Sequence, residues 1–361
     1  MRCAFAPALL VAALASGASH AQTLYEGTAG PSPIVLELDA RSEEPTGRYF
    51  YRRTRFDSDL SGERQGETFT LQSRLTQDKL VLKRQGQQLT GTLTTSKGRA
   101  LPVALRRATP PPASNGAPGD LDGYARMQLV GLTLLPGATE RIGTRTVRWF
   151  REPMSGTRLF RIEGGYAPAA LRKINTALAE TQWRHVQNWF DCPAYGGGAG
   201  VEVDDAGKPY LADRFVSYAW QSAWSCSGAA HPDFGTTGIT YDARTGDPLK
   251  LEDLLRFGDS PPPAEDSNAW YSYRGDHFAP GLVALLTRYH PEEMADPGKD
   301  TEEDACNYAD PDVWDFPAWY LSAKGLFVSA YFTRVNRACD APDWAVIPWE
   351  ALNGPALRQP Q

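Results

Sequence analysis

An imidazole and a carboxylate flank Pro232 at His231 and Asp233. That pairing suits general-base catalysis or metal ligation. The same triplet suits a turn in which the aspartate bonds nearby backbone, and this structural reading is preferred. No G-x-S-x-G elbow or H-E-x-x-H helix accompanies the pair. His231 and Asp233 are therefore only the candidate catalytic residues of an alternative reading, an envelope hydrolase, and no enzymatic activity is expected. His185 is read as a packed or hydrogen-bonded residue on a helix face.

Cofactor signals are weak in the same way. The glycine-rich run Tyr195 to Gly200 follows a helix and precedes a strand, the reverse of a phosphate cradle. Residues 291–315 concentrate Asp296, Asp300, Glu302, Glu303, Asp304, Asp310, Asp312 and Asp315. Their spacing does not match an EF-hand, so a solvated loop is expected and no metal or other cofactor is assigned.

The cysteines speak to compartment. Residues 1–21 read as a signal peptide: Arg2, an apolar run from Ala4 to Ala15, and Ser19-His20-Ala21 before Gln22. Cys3 leaves with that leader, and Cys192, Cys226, Cys306 and Cys339 remain. Four cysteines in an exported chain imply two disulfides with three possible connectivities. The simplest joins sequence neighbours, Cys192 to Cys226 and Cys306 to Cys339. The absence of a C-x2-C spacing argues against a zinc site. A periplasmic or secreted location follows, without a membrane span.

Charge separates the chain into halves. Residues 22–200 carry 24 Lys and Arg against 17 Asp and Glu, whereas residues 201–361 carry 12 against 26, a balance of −14. Such a surface repels nucleic acid and attracts cationic partners.

The elements that hold these residues fall into three stretches. Residues 22–108 show short alternating runs at 34–38, 48–51, 67–71, 79–82, 89–93 and 101–105, the rhythm of a small all-β barrel or sandwich with a filled interior. Residues 109–123, TPPPASNGAPGDLDG, read as a proline-rich linker. Residues 124–361 read as an α+β domain with an antiparallel sheet and two main helices, at 169–190 and 276–290. Its centre, residues 214–257, reads as a strand, an irregular turn, a second strand, a tight turn at Asp242 to Gly246 and a helix start. A hairpin at 318–332, a strand at 344–348 and a short helical turn at 349–352 close it.

Three segments carry a family likeness. The helix ALRKINTAL with Ile174-Asn175, SGAAHPDFGTTGITYDARTGDPLKLEDLL from Ser227, and GLFVSAYFTRVNRACDAPDWAVIPWEAL from Gly325 occur in that order. Over about 145–355 the chain resembles a family of exported domains typified by the extracellular domain of the lysozyme-binding anti-sigma-V factor RsiV. A similar domain accompanies some peptidoglycan deacetylases. The resemblance implies an α+β domain that binds protein or cell-wall material and performs no reaction. No segment after the leader is apolar enough to span a bilayer and none resembles a deacetylase module, so signalling and deacetylation are not expected. The expected partners are a cationic, lysozyme-like protein or peptidoglycan; a purely structural envelope protein is the remaining alternative.

Overall fold

The structure is a computed structural model that describes residues 22–113, 116–195, 198–258, 260–298 and 305–357. The leader at 1–21, Gly196 and Gly197, and the acidic residues Asp300, Glu302, Glu303 and Asp304 lie outside the described residues. The chain divides into two compact units, one ending at Thr109 and the other holding Pro110 onwards together with residues 53–58 and 74–76.

The first unit is a closed antiparallel barrel rather than a sandwich. Its strands run in sequence order: β1 (Thr23–Ala29), β2 (Ser32–Asp39), β3 (Thr46–Tyr51), β4 (Ser58–Gln65), β5 (Thr68–Gln72), β6 (Lys79–Gln85), β7 (Gln88–Thr94) and β8 (Ala100–Arg107). Pairing of β1 with β8, from Tyr25 opposite Arg107 to Ala29 opposite Val103, closes the ring. Closure leaves no unpaired sheet edge. Alternation does the rest. In β6 Leu80 and Leu82 are buried while Lys79, Val81 and Lys83 face out. The interior is filled by Tyr25, Leu36, Tyr49, Phe69, Leu71, Leu89, Leu105 and their neighbours. Two strands, β1 and β4, add to the six runs expected; β4 is polar throughout except Leu60, which points inward.

In the second unit a short helix, α1 (Gly123–Leu129), begins where only linker was expected, capped by Asp122. The main sheet contains β9 (Leu135–Ile142), β10 (Arg145–Arg151), β11 (Arg158–Ile162), β12 (Gly200–Ala206), β13 (Tyr210–Leu211), β14 (Phe215–Ser225) and β15 (Asp233–Asp242). Their order is β13-β14-β12-β11-β10-β9, with β15 also paired to β14. The sheet is antiparallel except at β11 and β12, which meet in parallel at Arg158 and Asp205. Gly246 ends the turn after β15 with a φ of 77°, a left-handed conformation that glycine adopts without steric cost.

Helix α2 (Pro168–Asp191) lies on this sheet, burying Ile174 and Leu178 against Leu159, Phe160, Tyr218 and Trp220. Directional bonds fix its seat. Asn175 accepts from the Ile162 amide and donates to the Ile162 carbonyl, both at 2.9 Å. Gln182 donates to Phe150 O at 2.8 Å and Thr157 O at 3.1 Å, and accepts from Arg161 at 2.9 Å. Burial holds the Arg161 guanidinium below its ordinary value, at about 10.

A three-stranded antiparallel sheet, β16 (Ala318–Ser322), β17 (Gly325–Ser329) and β18 (Val346–Pro348), completes the unit. It shares a core with α3 (Asn268–Tyr273) and α4 (Ala279–Tyr289), built on Phe278, Leu282, Leu286, Trp314, Leu326 and Ile347. A π-helical turn, Arg274–Phe278, joins the two helices. The helix expected over 276–290 thus starts earlier, at Asn268, where Ser267 accepts from the Trp270 amide. The two disulfides are Cys192–Cys226 and Cys306–Cys339, the pairing of sequence neighbours.

Strand β16 approaches β15 closely, and Gly238 is what permits it. A Cβ there would stand 1.5 Å from the Trp319 carbonyl oxygen. Beside this contact the buried Ser217 hydroxyl bonds Thr240 at 2.6 Å and accepts from the Leu321 amide at 2.8 Å. Gly238→Ala should therefore push the two sheets apart and destabilise the protein by about 2–4 kcal/mol. Chemical denaturation of the variant measures this, and a loss below 0.5 kcal/mol, roughly the range of a neutral surface change, would contradict the close approach.

Candidate functional site

Of the first sequence candidates, His231 sits in the turn between β14 and β15, and Asp233 begins β15. His231 is exposed, and its Nδ1 lies 3.2 Å from the Pro232 carbonyl oxygen. Asp233 pairs with Arg337 at 3.2 Å and accepts from the Phe234 amide at 2.9 Å. The two side chains are thus directed at separate partners. Among the described residues, no group of three or more His, Cys, Asp and Glu is placed to hold a metal ion.

An imidazole and a carboxylate do meet elsewhere. His185 lies on the inner stripe of α2, three residues beyond Gln182. Its Nδ1 is 2.8 Å from Oδ1 of Asp204, on β12. The same oxygen accepts from the Trp220 indole at 2.6 Å, and Oδ2 accepts from the Thr157 hydroxyl at 3.3 Å. The His185 ring stacks on Trp220, with centroids 3.7 Å apart at 21°. A carboxylate only accepts, so Nδ1 carries a proton in this bond. His185 is the hydrogen-bonded face residue that the sequence suggests, with a partner that the sequence does not suggest.

This pair lines a cleft of about 320 Å³ with Asn188, Trp189, Val201, Val203, Ser222 and Trp224. The Cys192–Cys226 bridge joins the end of α2 to the end of β14 and forms part of its wall. Ser222 stands opposite Asp204 in the strand register. Its hydroxyl is aimed at the Gly235 carbonyl, 3.5 Å away. The pairing of β12 shifts between Val201 and Val203, and both valines border the cleft; such bulges re-aim side chains.

A second feature surrounds the π-helical turn. The Arg274 guanidinium is buried and pairs with Glu252 at 2.9 Å, the two side chains being 7% and 8% exposed. Glu252 also accepts from the Trp270 indole at 3.1 Å. The guanidinium lies 5.0, 4.3 and 5.9 Å from the rings of Trp270, Phe278 and Phe316. Such contacts favour the cation, whereas burial holds its pKa below the ordinary value.

Above this base Tyr271 and Phe316 are 50% and 47% exposed, with ring centroids 5.8 Å apart. Beside them stands Asp315. One of its carboxylate oxygens is enclosed and has no hydrogen bond. Burial, then repulsion from Asp312, raises its pKa above the ordinary carboxyl value; Asp310 and Asp276 add to the effect, and Arg274 opposes it. Of the acidic loop, then, Asp310, Asp312 and Asp315 become a structured part of this face. The loop reading alone carried no sign of the aromatic pair.

Arg274 without Glu252 would be a buried, unpaired cation. Glu252→Ala should cost about 3–5 kcal/mol of stability. Glu252→Gln, which keeps an acceptor for the indole, should fall between it and wild type. The double replacement Arg274→Met, Glu252→Leu should return to within about 1 kcal/mol of wild type, because it removes both desolvated charges. Thermal and denaturant unfolding of the four proteins checks the order; a single Glu252→Ala loss no larger than that of the double variant would refute the buried-pair account.

No protein-family model matches this chain, and no curated protein matches it, so its function rests on the chemistry of these two sites.

Proposed function

We propose that the protein is an exported, non-catalytic binding protein whose partner is a cationic protein, lysozyme-like in charge, seated on the face around Tyr271 and Phe316. One observation carries the reading. An exposed aromatic ring, Phe316, follows Asp315 in the chain and lies near Tyr271, and Asp312, Asp310 and Asp276 add like charge around Asp315, while the nearby cation, Arg274, pairs with the Glu252 carboxylate. An arriving guanidinium stacks on the rings and pairs with the carboxylates in one movement. The balance of −14 in residues 201–361 adds long-range attraction that speeds encounter. Two disulfides support a life outside the cytosol. No helix among the described residues is long and apolar enough to cross a membrane.

The face should bind at a cost to stability. Because the folded protein raises the Asp315 pKa, its carboxylate disfavours the fold as pH rises above the ordinary value of 3.8, and that penalty vanishes at lower pH where both states are protonated. Asp315→Asn should therefore raise the melting temperature at pH 7, with the gain shrinking towards pH 3. The same variant, and Phe316→Ala, should each weaken binding of hen lysozyme at low salt about tenfold, roughly 1.4 kcal/mol. Wild-type binding should fall steeply between 50 and 300 mM salt, roughly the range over which screening shortens below 10 Å. Surface plasmon resonance at both salt concentrations provides the test. Absence of binding at low salt, or binding untouched by both substitutions, would sink the proposal.

A further inference from the structure

The cleft lined by His185 and Asp204 shares no residue with the Tyr271–Phe316 face. We infer that it is a binding site for a neutral pyranose ring bearing an acetamido group, with His185 Nε2 and the Asn188 amide as its polar contacts and Trp189 and Trp224 as its stacking walls.

The size and the lining support this class of ligand. A cavity of about 320 Å³ lies at the small end of ligand sites, the range suited to one or two sugar rings. Its walls join two partly exposed indoles and two valines to a few polar atoms. Indole faces suit the apolar C–H face of a pyranose, and the valines suit an acetyl methyl. No Lys or Arg lines the cleft, and Asp204 brings a carboxylate to it. Anionic ligands such as phosphates or nucleotides are disfavoured on that ground.

The polar groups are held in place before any ligand arrives. Asp204 fixes the imidazole through Nδ1, and Trp220 stacks beneath the ring. His185 makes no other hydrogen bond among the described residues, so Nε2 is left to bond a sugar hydroxyl, which can donate or accept. Asn188 and Trp189 follow His185 at three and four residues, on the same side of α2. Trp224 faces Val201 across the paired strands, opposite that helix. The disulfide clamps the helix end to β14 at the wall itself. Groups oriented in this way bind without a further ordering cost.

Titration of the full mature chain with the β-1,4-linked trisaccharide of N-acetylglucosamine, followed by tryptophan fluorescence and calorimetry, tests the assignment. Saturable binding is expected, with the trisaccharide of glucose at least tenfold weaker. Trp224→Ala should reduce affinity at least tenfold and Asn188→Ala about threefold. The Asn188 side chain is exposed and makes no hydrogen bond among the described residues, so that variant keeps the test open if another misfolds. His185→Ala should also lose binding, with circular dichroism confirming that it folds. No saturation by about 10 mM sugar, a dissociation constant weaker than millimolar, would overturn the inference. Equal affinity for the two trisaccharides, or unchanged affinity in folded Trp224→Ala and Asn188→Ala proteins, would overturn it too. Lysozyme binding is read separately, so failure here leaves the acidic face standing, and the converse also holds.

Discussion

The attachment of α2 to its sheet is the constraint on which the second unit depends. Apolar contacts alone hold a helix against a sheet without choosing between positions one turn, or about 5.4 Å, apart. Asn175 and Gln182 make that choice. Each reads backbone groups of particular residues, Ile162 in one case and Phe150 and Thr157 in the other. A slip of one turn would leave these amides and carbonyls buried and unpaired, at about 1–3 kcal/mol for each. His185 follows on the same stripe and reaches Asp204 only because the two amides have set the register. The cleft is thus a consequence of how the helix is anchored.

Two aspartates show how far environment decides what a carboxylate does. Asp204 accepts from an imidazole, an indole and a hydroxyl, so its charge is spread over groups that the fold already supplies. Asp315 has an enclosed oxygen with no bond, neighbours of like charge, and a nearby cation committed to Glu252. The first holds a structure together. The second works against the structure, and a cation from outside would relieve it. The π-helical turn adjoins this arrangement: Gly275 lies on it, and a Cβ there would stand in ordinary contact with the Asp315 oxygens, at 3.9 and 4.0 Å. Such turns recur at functional sites.

What the sequence reveals follows from which signals are local. The hairpin of β14 and β15, the helix at 168–191 and the Gly246 turn are visible because periodicity and turn chemistry report on neighbours in the chain. The α3 start is hidden for a physical reason. A π-helical turn carries an extra residue, so Trp270 and Tyr273 fall out of phase with Phe278, Leu282 and Leu286. A search for 3.6-residue spacing then finds only the later half. In the barrel, β4 escapes notice because SDLSGERQ offers little inward apolar surface beyond Leu60. Of the cleft, His185 can be placed on the inner stripe of its helix from sequence. Asp204 cannot be matched to it, because their meeting is made by the docking of β12, 19 residues away.

The two sites proposed for the second unit would recognise their partners by different physics. Attraction by the acidic face acts over roughly a Debye length, about 8–10 Å in physiological salt, and weakens as salt is added. Recognition in the cleft would rest on shape, stacking and oriented hydrogen bonds, which salt leaves almost untouched. A single surface could not serve both purposes well. Free carboxylates in the cleft would demand counter-ions, and a dry cleft on the acidic face would shield its charges from an approaching partner. Asp204 has its charge met by groups of the fold, whereas Asp315 keeps one enclosed oxygen without a hydrogen bond, and this difference is what would separate the two.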